Sequence, residues 1–508
     1  MTLNGLLDHT ASIWPHKPAL VLPGDRVVSF GELRSLVLRA AALLRSRGVG
    51  KGDRFALVLR NGLEFVVGYF ALARLGAAAV PINFLVQKPE ELQFMLGHCK
   101  AKGVLTQKEF LRPLRDIEGV FVLVAEEGFW RDVEASPESE TGFPEVSEDD
   151  LACVLYTSGT TGQPKGVMLT HANLVSNCDA CIQALGLENL SRSDVMMTIL
   201  PMFHTFAWTA CVLLPLRGGA KNIVSPSITP AAAWLRMMSK HGATLIAAVP
   251  QVYAVLAKEA KGLKGLALRW WFFRRTWLFV SGAAPLSPKT AEDFRSAFGK
   301  GIIEGYGLTE TSPVATVNAV DSPRPGSVGK ALPGVELRIA DDSGAPLPVG
   351  EEGEILIRGP NVMKGYLDDP EATAAAISPE GWLRTGDIGT LDADGYLFIR
   401  DRKKDMVIVK GLKVFPAQVE AVLTSHPDVE EAAVIGIPDE TGDETLKAFI
   451  VTRKGCAADK AGLLEFCRSK LDPYKRPRDI ELVDELPKNS LQKVLKRVLR
   501  EREKLKRC

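Results

Sequence analysis

No stretch of this sequence is apolar for long enough to cross a membrane as a helix. The longest apolar run, from Phe65 to Ile82, carries Arg74 and reaches Pro81, which excludes a spanning segment of about 20 residues. An excess of one charge is also missing. The 62 Lys and Arg against 61 Asp and Glu leave a net charge of +1, too little for a global attraction to nucleic acid or an anionic membrane. The eight cysteines are scattered without paired spacing. Cys178 and Cys181 stand three apart, but no second pair or His-x-x-x-His accompanies them, so they read as residues packed inside a helix and not as zinc ligands. The opening residues MTLNGLLDHTASIWPHKP lack the basic-then-apolar order of a secretion signal, and a reducing cytoplasm is the expected setting.

What is present is a long alternation. With 508 residues the chain should form more than one domain. Phe30 to Ser46 has helical periodicity, Phe55 to Leu59 reads as a buried strand, Glu64 to Leu75 as a helix and Ala78 to Ile82 as a strand. Such alternation predicts an α/β architecture with mostly parallel strands. Glu134 to Asp150, rich in Glu, Ser and Pro, reads as a solvated connection. A second α/β series runs from Val195 to about Phe298, where Ser287 and Pro288 signal a helix start after a Leu278–Val280 strand. From about Gly326 to Arg400 short strands and turns take over, with Asp394-Gly395 as a hairpin signal. The Asp-x-Asp-Gly fragment there lacks the other ligands of a calcium loop and reads as a turn. After the charged break RDRKK (400–404), the tail reads strand (Met406–Val409), helix (Pro416–Thr424), strands (Glu431–Ile435 and Lys447–Val451), helix (Ala461–Lys470) and a basic segment.

The most informative run is LACVLYTSGTTGQPKGVMLTH, 151–171. An apolar stretch feeds Thr157, Ser158, Gly159, Thr160, Thr161 and Gly162, then Lys165 and a second apolar stretch. Glycines let backbone N–H groups converge on one point. Such a nest, with hydroxyl donors and a lysine charge, suits a polyphosphate. A P-loop of the switch-NTPase kind needs Gly-Lys-Ser/Thr at a helix mouth; here Lys165 lies between Pro164 and Gly166, with no hydroxyl residue directly after it. A plain polar hairpin loop is the bland alternative, since the same residues favour turns.

Together with SGAAPLS (281–287), GYGLTE (305–310), TGD (385–387), DRKKD (401–405) and LPKNSLQK (486–493), this run resembles, motif by motif and in order, the adenylate-forming acyl-CoA synthetase superfamily. The likeness covers nearly the whole chain and is closest to the bacterial long-chain and medium-chain fatty acyl-CoA synthetases. It implies an N-terminal adenylate-forming domain (1–400), a hinge (401–404) and a mobile α+β domain (405–508). It also implies two-step chemistry: a carboxylate attacks the α-phosphate of ATP to give acyl-AMP and pyrophosphate, and the thiol of coenzyme A then displaces AMP. Carrier-protein thiols or aryl acids are the nearest enzymatic alternatives, and a catalytically silent nucleotide or fatty-acid binder is the non-enzymatic one.

The resemblance assigns residues. Thr157, Ser158, Gly159, Thr160, Thr161, Gly162 and Lys165 would hold phosphates. Gly282, Ala283, Glu304, Gly305, Tyr306 and Gly307 would surround adenine, the aromatic lying flat where flanking glycines admit close approach. Thr309 would donate to the α-phosphate, and Glu310 with Thr157 would hold Mg²⁺, which takes one or two carboxylates and fills its shell with phosphate and water. Asp387 and Arg402 would contact ribose, and Lys404 falls on the hinge. Lys493 would stand between the two anions that must meet in the first step; Gln492 replaces the glycine usual before it. Rotation of the small domain would then bring Met406–Gly411 toward the thiol, with Gly411 beside the pantetheine arm and Lys475 and Arg476 near the CoA phosphates.

For the acid, PMFHTFAW (201–208) resembles the segment in which a histidine borders the carboxylate and a tryptophan gates an acyl tunnel. His204, Ala207, Trp208 and Tyr253 are therefore the expected acyl pocket, and core packing is the alternative for the last three. No acid occurs in this run to pair with an amino group, against an amino-acid substrate. Arg269-Trp-Trp-Phe-Phe-Arg-Arg275 suits a membrane interface; burial over the pocket or a homodimer contact would also absorb those rings.

Overall fold

The computed structural model describes every residue except 87, 116, 118, 159–163, 188–192, 261–264, 266–267, 410–411, 439–443, 454, 457, 489–493 and 508. Two large mixed sheets dominate the described residues. In the first, the strands Ile303–Gly307, Leu278–Ser281, Leu245–Ala248, Val195–Thr198, Lys221–Val224 and Pro18–Val21 lie side by side and parallel, and antiparallel strands finish both edges. In the second, Leu151–Ser158, Ala78–Pro81, Arg54–Val58, Gly103–Thr106 and Phe121–Val124 are parallel, and Pro164–Thr170 and Gly365–Tyr366 add antiparallel strands at one edge. Near-continuous apolar strands such as Ala78–Pro81 and Leu245–Ala248 are buried at every position, as parallel strands covered on both faces must be.

The long apolar run resolves into two elements. A helix, Leu63–Arg74, and the strand Ala78–Pro81 are joined through Gly76 at φ 63°, and none of the described helices is long and apolar enough to cross a membrane. The expected helix over Phe30–Ser46 forms, capped by Ser29, whose hydroxyl accepts from the Glu32 N–H. Ser287 does the same for the helix Pro288–Phe298, accepting from the Thr290 N–H. Cys178 and Cys181 are buried in the helix His171–Ala184.

Past Gly326 a four-stranded antiparallel sheet (Glu336–Ala340, Gly353–Arg358, Leu383–Leu391, Leu397–Arg402) replaces the α/β pattern. The Asp394-Gly395 hairpin forms, with Gly395 at φ 82°. Asp392 and Asp394 are both ion-paired to Arg324, which accounts for the acidic turn without a metal. Asp401 and Arg402 pair with Ile388 and Asp387 in this sheet. The tail builds its own layer: a three-stranded sheet (Val429–Pro438, Glu444–Thr452, Asp479–Leu482) beneath the helices Pro416–Thr424 and Lys460–Lys470. The basic segment becomes a helix, Lys496–Arg507. It is not purely a surface helix, because Leu499 is fully buried.

Candidate active site

The informative run forms two antiparallel strands in which Thr157 lies opposite Lys165. Lys165 therefore sits on a strand and not at a helix mouth, as its flanking Pro164 and Gly166 require. The loop between the strands, with Gly159, Thr160, Thr161 and Gly162, lies outside the described residues, as does the side chain of Ser158. Thr157 and Lys165 line a cleft of about 2280 Å³ that also takes in Gly282, Ala283, Glu304, Gly305, Tyr306, Gly307, Thr309, Glu310, Asp387, Arg402 and Lys404. Residues separated by more than 200 positions in sequence thus converge on one space.

At its centre is a polar triad. The Tyr306 hydroxyl donates to Asp387 Oδ2 at 2.7 Å, and Arg402 Nε stands 3.2 Å from Asp387 Oδ1. Burial, and then the Asp387 charge, push the Tyr306 phenol well up, so it remains a donor. The glycines around Tyr306 have a nearer reason than room for a purine. A Cβ on Gly307 would fall onto the carbonyl oxygen of Pro313, and one on Gly305 would lie 3.0 Å from that of Thr316. The close approach of residues 313–317 thus excludes a Cβ at Gly307 and crowds one at Gly305. Ala283 holds φ +67°, a left-handed conformation uncommon for a residue with a Cβ and often found at functional turns.

Glu310 lies in the short turn Thr309–Thr311. Burial pushes its carboxyl up, opposed by hydrogen bonding that includes the Tyr366 hydroxyl, which donates to Oε1 at 3.1 Å. Burial likewise raises Glu304, to about 7, while one oxygen accepts from the Leu286 N–H at 3.3 Å. His204 also lines the cleft, and burial lowers it to about 4, so it is neutral near pH 7. Apolar side chains of Met196, Leu245, Ala247, Leu278, Cys181 and Leu185 line another part of the same cleft.

Three of the expected acyl-pocket residues do not reach it. Trp208 is 2% exposed and stacks on Tyr69, centroids 4.0 Å apart, with Phe65 and Phe70 around it. Ala207 is fully buried in the same apolar core as Ile199, Ala248 and Tyr253. Tyr253 faces the other side of the sheet among Phe279 and Phe294 and donates to the Val280 carbonyl at 2.7 Å. The core-packing alternative describes all three. A helix that follows His204 presents different faces at successive residues, and the face toward the cleft carries Phe206, Ala210 and Leu214 instead.

Lys493 and Gly411 lie outside the described residues; Lys488 and Val494, which flank Lys493, line the cleft. Lys475 and Arg476 are away from it. Lys475 pairs with Asp472 at 3.1 Å, and Arg476 donates to the carbonyls of Leu471 and Arg468 at the end of the helix Lys460–Lys470. Capping that helix uses two of the five N–H donors of Arg476. The run 269–275 is divided: Phe273 is buried, while Trp270 and Trp271 are 62% and 75% exposed.

Several cleft residues escaped the sequence reading. Tyr366 follows Gly365 in a motif too short to signal anything alone. Lys496 and Arg500 line the cleft although they sit in a run that looks like solvated charge; their i, i+4 spacing, which puts them on one helix face, was the available clue.

Comparison with known proteins bears on this geometry. The family model described as AMP-binding enzyme matches residues 7–367, and that of the AMP-binding enzyme C-terminal domain matches residues 418–493. A long-chain-fatty-acid–CoA ligase of Bacillus subtilis (strain 168) is 32% identical over 99% of this chain and 94% of its own length. ATP-bound MatB from Rhodopseudomonas palustris superposes with a TM-score of 0.91 at 33% identity, covering 99% of both chains. The anthranilate CoA ligase AuaEII in complex with anthranoyl-AMP gives a TM-score of 0.91 at 30% identity, over 99% of this chain and 98% of that one.

Proposed function

The chain belongs to the AMP-binding enzyme family and is an AMP-forming acid–thiol ligase, and from that premise we propose that it activates a medium- or long-chain fatty acid with ATP and passes it to coenzyme A. The observation that carries this reading is a single cleft holding both the Tyr306–Asp387–Arg402 triad and an extended apolar lining. The relatives act on fatty, aryl and other acids, so the family does not name the acid. The apolar lining of Met196, Leu245, Ala247 and Leu278 favours an alkyl chain.

In the first step a carboxylate oxygen bonds to the α-phosphorus as the bond to pyrophosphate breaks. Two anions must meet, so the protein contributes alignment and positive charge rather than covalent chemistry. Thr157 and Lys165 with the loop 158–162 grip phosphates, Thr309 donates to the α-phosphate, and Lys493 neutralises the charge building there. Gly282, Ala283, Glu304, Gly305, Tyr306 and Gly307 form the adenine wall. Asp387 keeps lone pairs for the ribose hydroxyls while Tyr306 and Arg402 hold it still. Neutral His204 can donate one hydrogen bond to the acid carboxylate. In the second step the thiol sulfur bonds to the acyl carbon, its proton is lost and AMP leaves. Residues 405–508 would rotate between the steps, about a hinge at 401–404 centred on Lys404, to bring the segment ending at Gly411 toward the thiol. Lys475, freed from Asp472, and Arg476 would then be the basic residues for the CoA phosphates.

Mg²⁺ fits the donor set. Glu310 is a half-buried carboxyl that accepts from the phenol of Tyr366, and a hard cation would offset its desolvation. Glu310 and Thr157 would hold it, and when bound it would supply charge neutralisation for the phosphates.

Incubation with ATP, coenzyme A and a panel of acids, read as acyl-CoA by mass with pyrophosphate release in parallel, tests the reading. Saturated acids of medium and long chain should give thioester in preference to coumarate or anthranilate; turnover of aryl acids alone would reverse the assignment. The exposed Trp270 and Trp271, rimmed by Arg269, Arg274 and Arg275, support a second reading in which the enzyme collects its acid at a lipid surface. Flotation with anionic liposomes should be lost in the variant Trp270→Ala/Trp271→Ala, and equal flotation would remove that reading.

A further inference from the structure

We propose that Tyr366 is a positioning residue that holds the Glu310 carboxylate and the Lys165 ammonium at their working places through two different parts of one side chain. The proposal rests on the assignment of Glu310 to Mg²⁺ and of Lys165 to the ATP phosphates made above. Tyr366 ends the two-residue strand Gly365–Tyr366, which pairs with Val167 and Met168 on the strand that carries Lys165. Its N–H donates to Thr373 Oγ1 at 2.9 Å, and the next N–H, of Leu367, donates to the Gly166 carbonyl at 2.7 Å. The backbone of Tyr366 is therefore fixed on both sides, and its side chain lines the cleft.

The two ends of that side chain face different charges. The hydroxyl donates to Glu310 Oε1 at 3.1 Å. A second bond ties the same segment to Glu310, because the Met363 N–H donates to the Glu310 carbonyl at 2.9 Å. The ring face lies 5.0 Å below the Lys165 ammonium. Among the described residues Lys165 has one ion pair, with Asp369, and that contact is long at 3.9 Å. A cation seated over an aromatic face and paired only loosely keeps its donors for an arriving phosphate.

The two contacts separate by substitution. Tyr366→Phe removes the hydroxyl and keeps the ring, whereas Tyr366→Leu removes both. Titration calorimetry of ATP binding to the full chain, with and without Mg²⁺, reads each arm without turnover. Tyr366→Phe should bind Mg²⁺-free ATP like the parent and lose about tenfold of the affinity gained on adding Mg²⁺, the size expected for a hydrogen bond to a charged group. Tyr366→Leu should in addition weaken Mg²⁺-free ATP binding by about threefold, as a lost cation–π contact would. Adding Lys165→Gln to Tyr366→Leu should then cost less than adding it to Tyr366→Phe, the non-additivity of residues acting together. An unchanged Mg²⁺ increment in Tyr366→Phe, or full additivity of Lys165→Gln in both backgrounds, overturns the proposal. If Glu310→Gln and Lys165→Gln themselves leave ATP binding untouched, the functional assignment beneath it fails instead.

Discussion

Glu304 and Asp387 are two carboxyl groups of one cleft with different partners. Burial keeps Glu304 protonated to about 7, from an ordinary value of 4.5. The folded chain therefore binds that proton more tightly than the unfolded one. Stability from this group is full below about 4.5, falls as pH climbs toward about 7 and is flat beyond. Glu304→Gln removes the titration. Its urea midpoint, compared with the parent, should shift in the variant's favour between about pH 5 and pH 7 and stop shifting above that; a difference constant with pH contradicts the burial argument. Asp387 instead accepts from Tyr306 and pairs with Arg402. Asp387→Asn turns one end of the group into a donor facing a donor, and the KM for ATP in pyrophosphate exchange should rise by about tenfold or more. Tyr306 and Glu310 were legible together because one contiguous motif carries both into the cleft, and Asp387 was legible through its own short motif, TGD. Trp208 and Tyr253 were not, because which face of a helix meets the cleft and which meets the core is decided by partners far away in sequence.

Among the elements, the helix Lys496–Arg507 departs most from its sequence appearance. Lys496 pairs with Glu420 at 2.7 Å and Arg500 with Asp405 at 2.6 Å, which ties the helix just after Lys493 both to the helix Pro416–Thr424 and to the end of the DRKKD segment. Burial raises the Glu420 carboxyl while the Lys496 charge opposes it. Removing one partner of a largely buried pair strands the other. Lys496→Met should destabilise the C-terminal layer by about 3 kcal/mol in urea unfolding, and adding Glu420→Gln should return most of it; equal loss in both variants would mean that no stranded carboxylate causes the loss. The α/β alternation, the capped helices and the Asp394-Gly395 hairpin were readable because each carries a local signal: period, cap or turn chemistry. The pairing of Lys496 and Arg500 has no local signal beyond spacing, so a basic run looked solvated.

For the whole molecule, two mixed sheets, a four-stranded sheet and a small C-terminal layer enclose one cleft, and the motifs that resembled an adenylate-forming enzyme converge on it from all of them. The order of motifs along the chain revealed the family. The arrangement of strands that makes them neighbours was not deducible, since sheet order depends on crossovers that no window of sequence contains. The central claim is that this cleft joins a fatty carboxylate to the α-phosphate of ATP with Lys493 as the neutralising charge. Exchange of labelled pyrophosphate into ATP tests it most directly. Exchange in the parent should depend on a fatty acid and be lost in Lys493→Ala, which should still convert preformed acyl-adenylate and coenzyme A to thioester. No exchange with any acid in the parent, or undiminished exchange in Lys493→Ala, would contradict it.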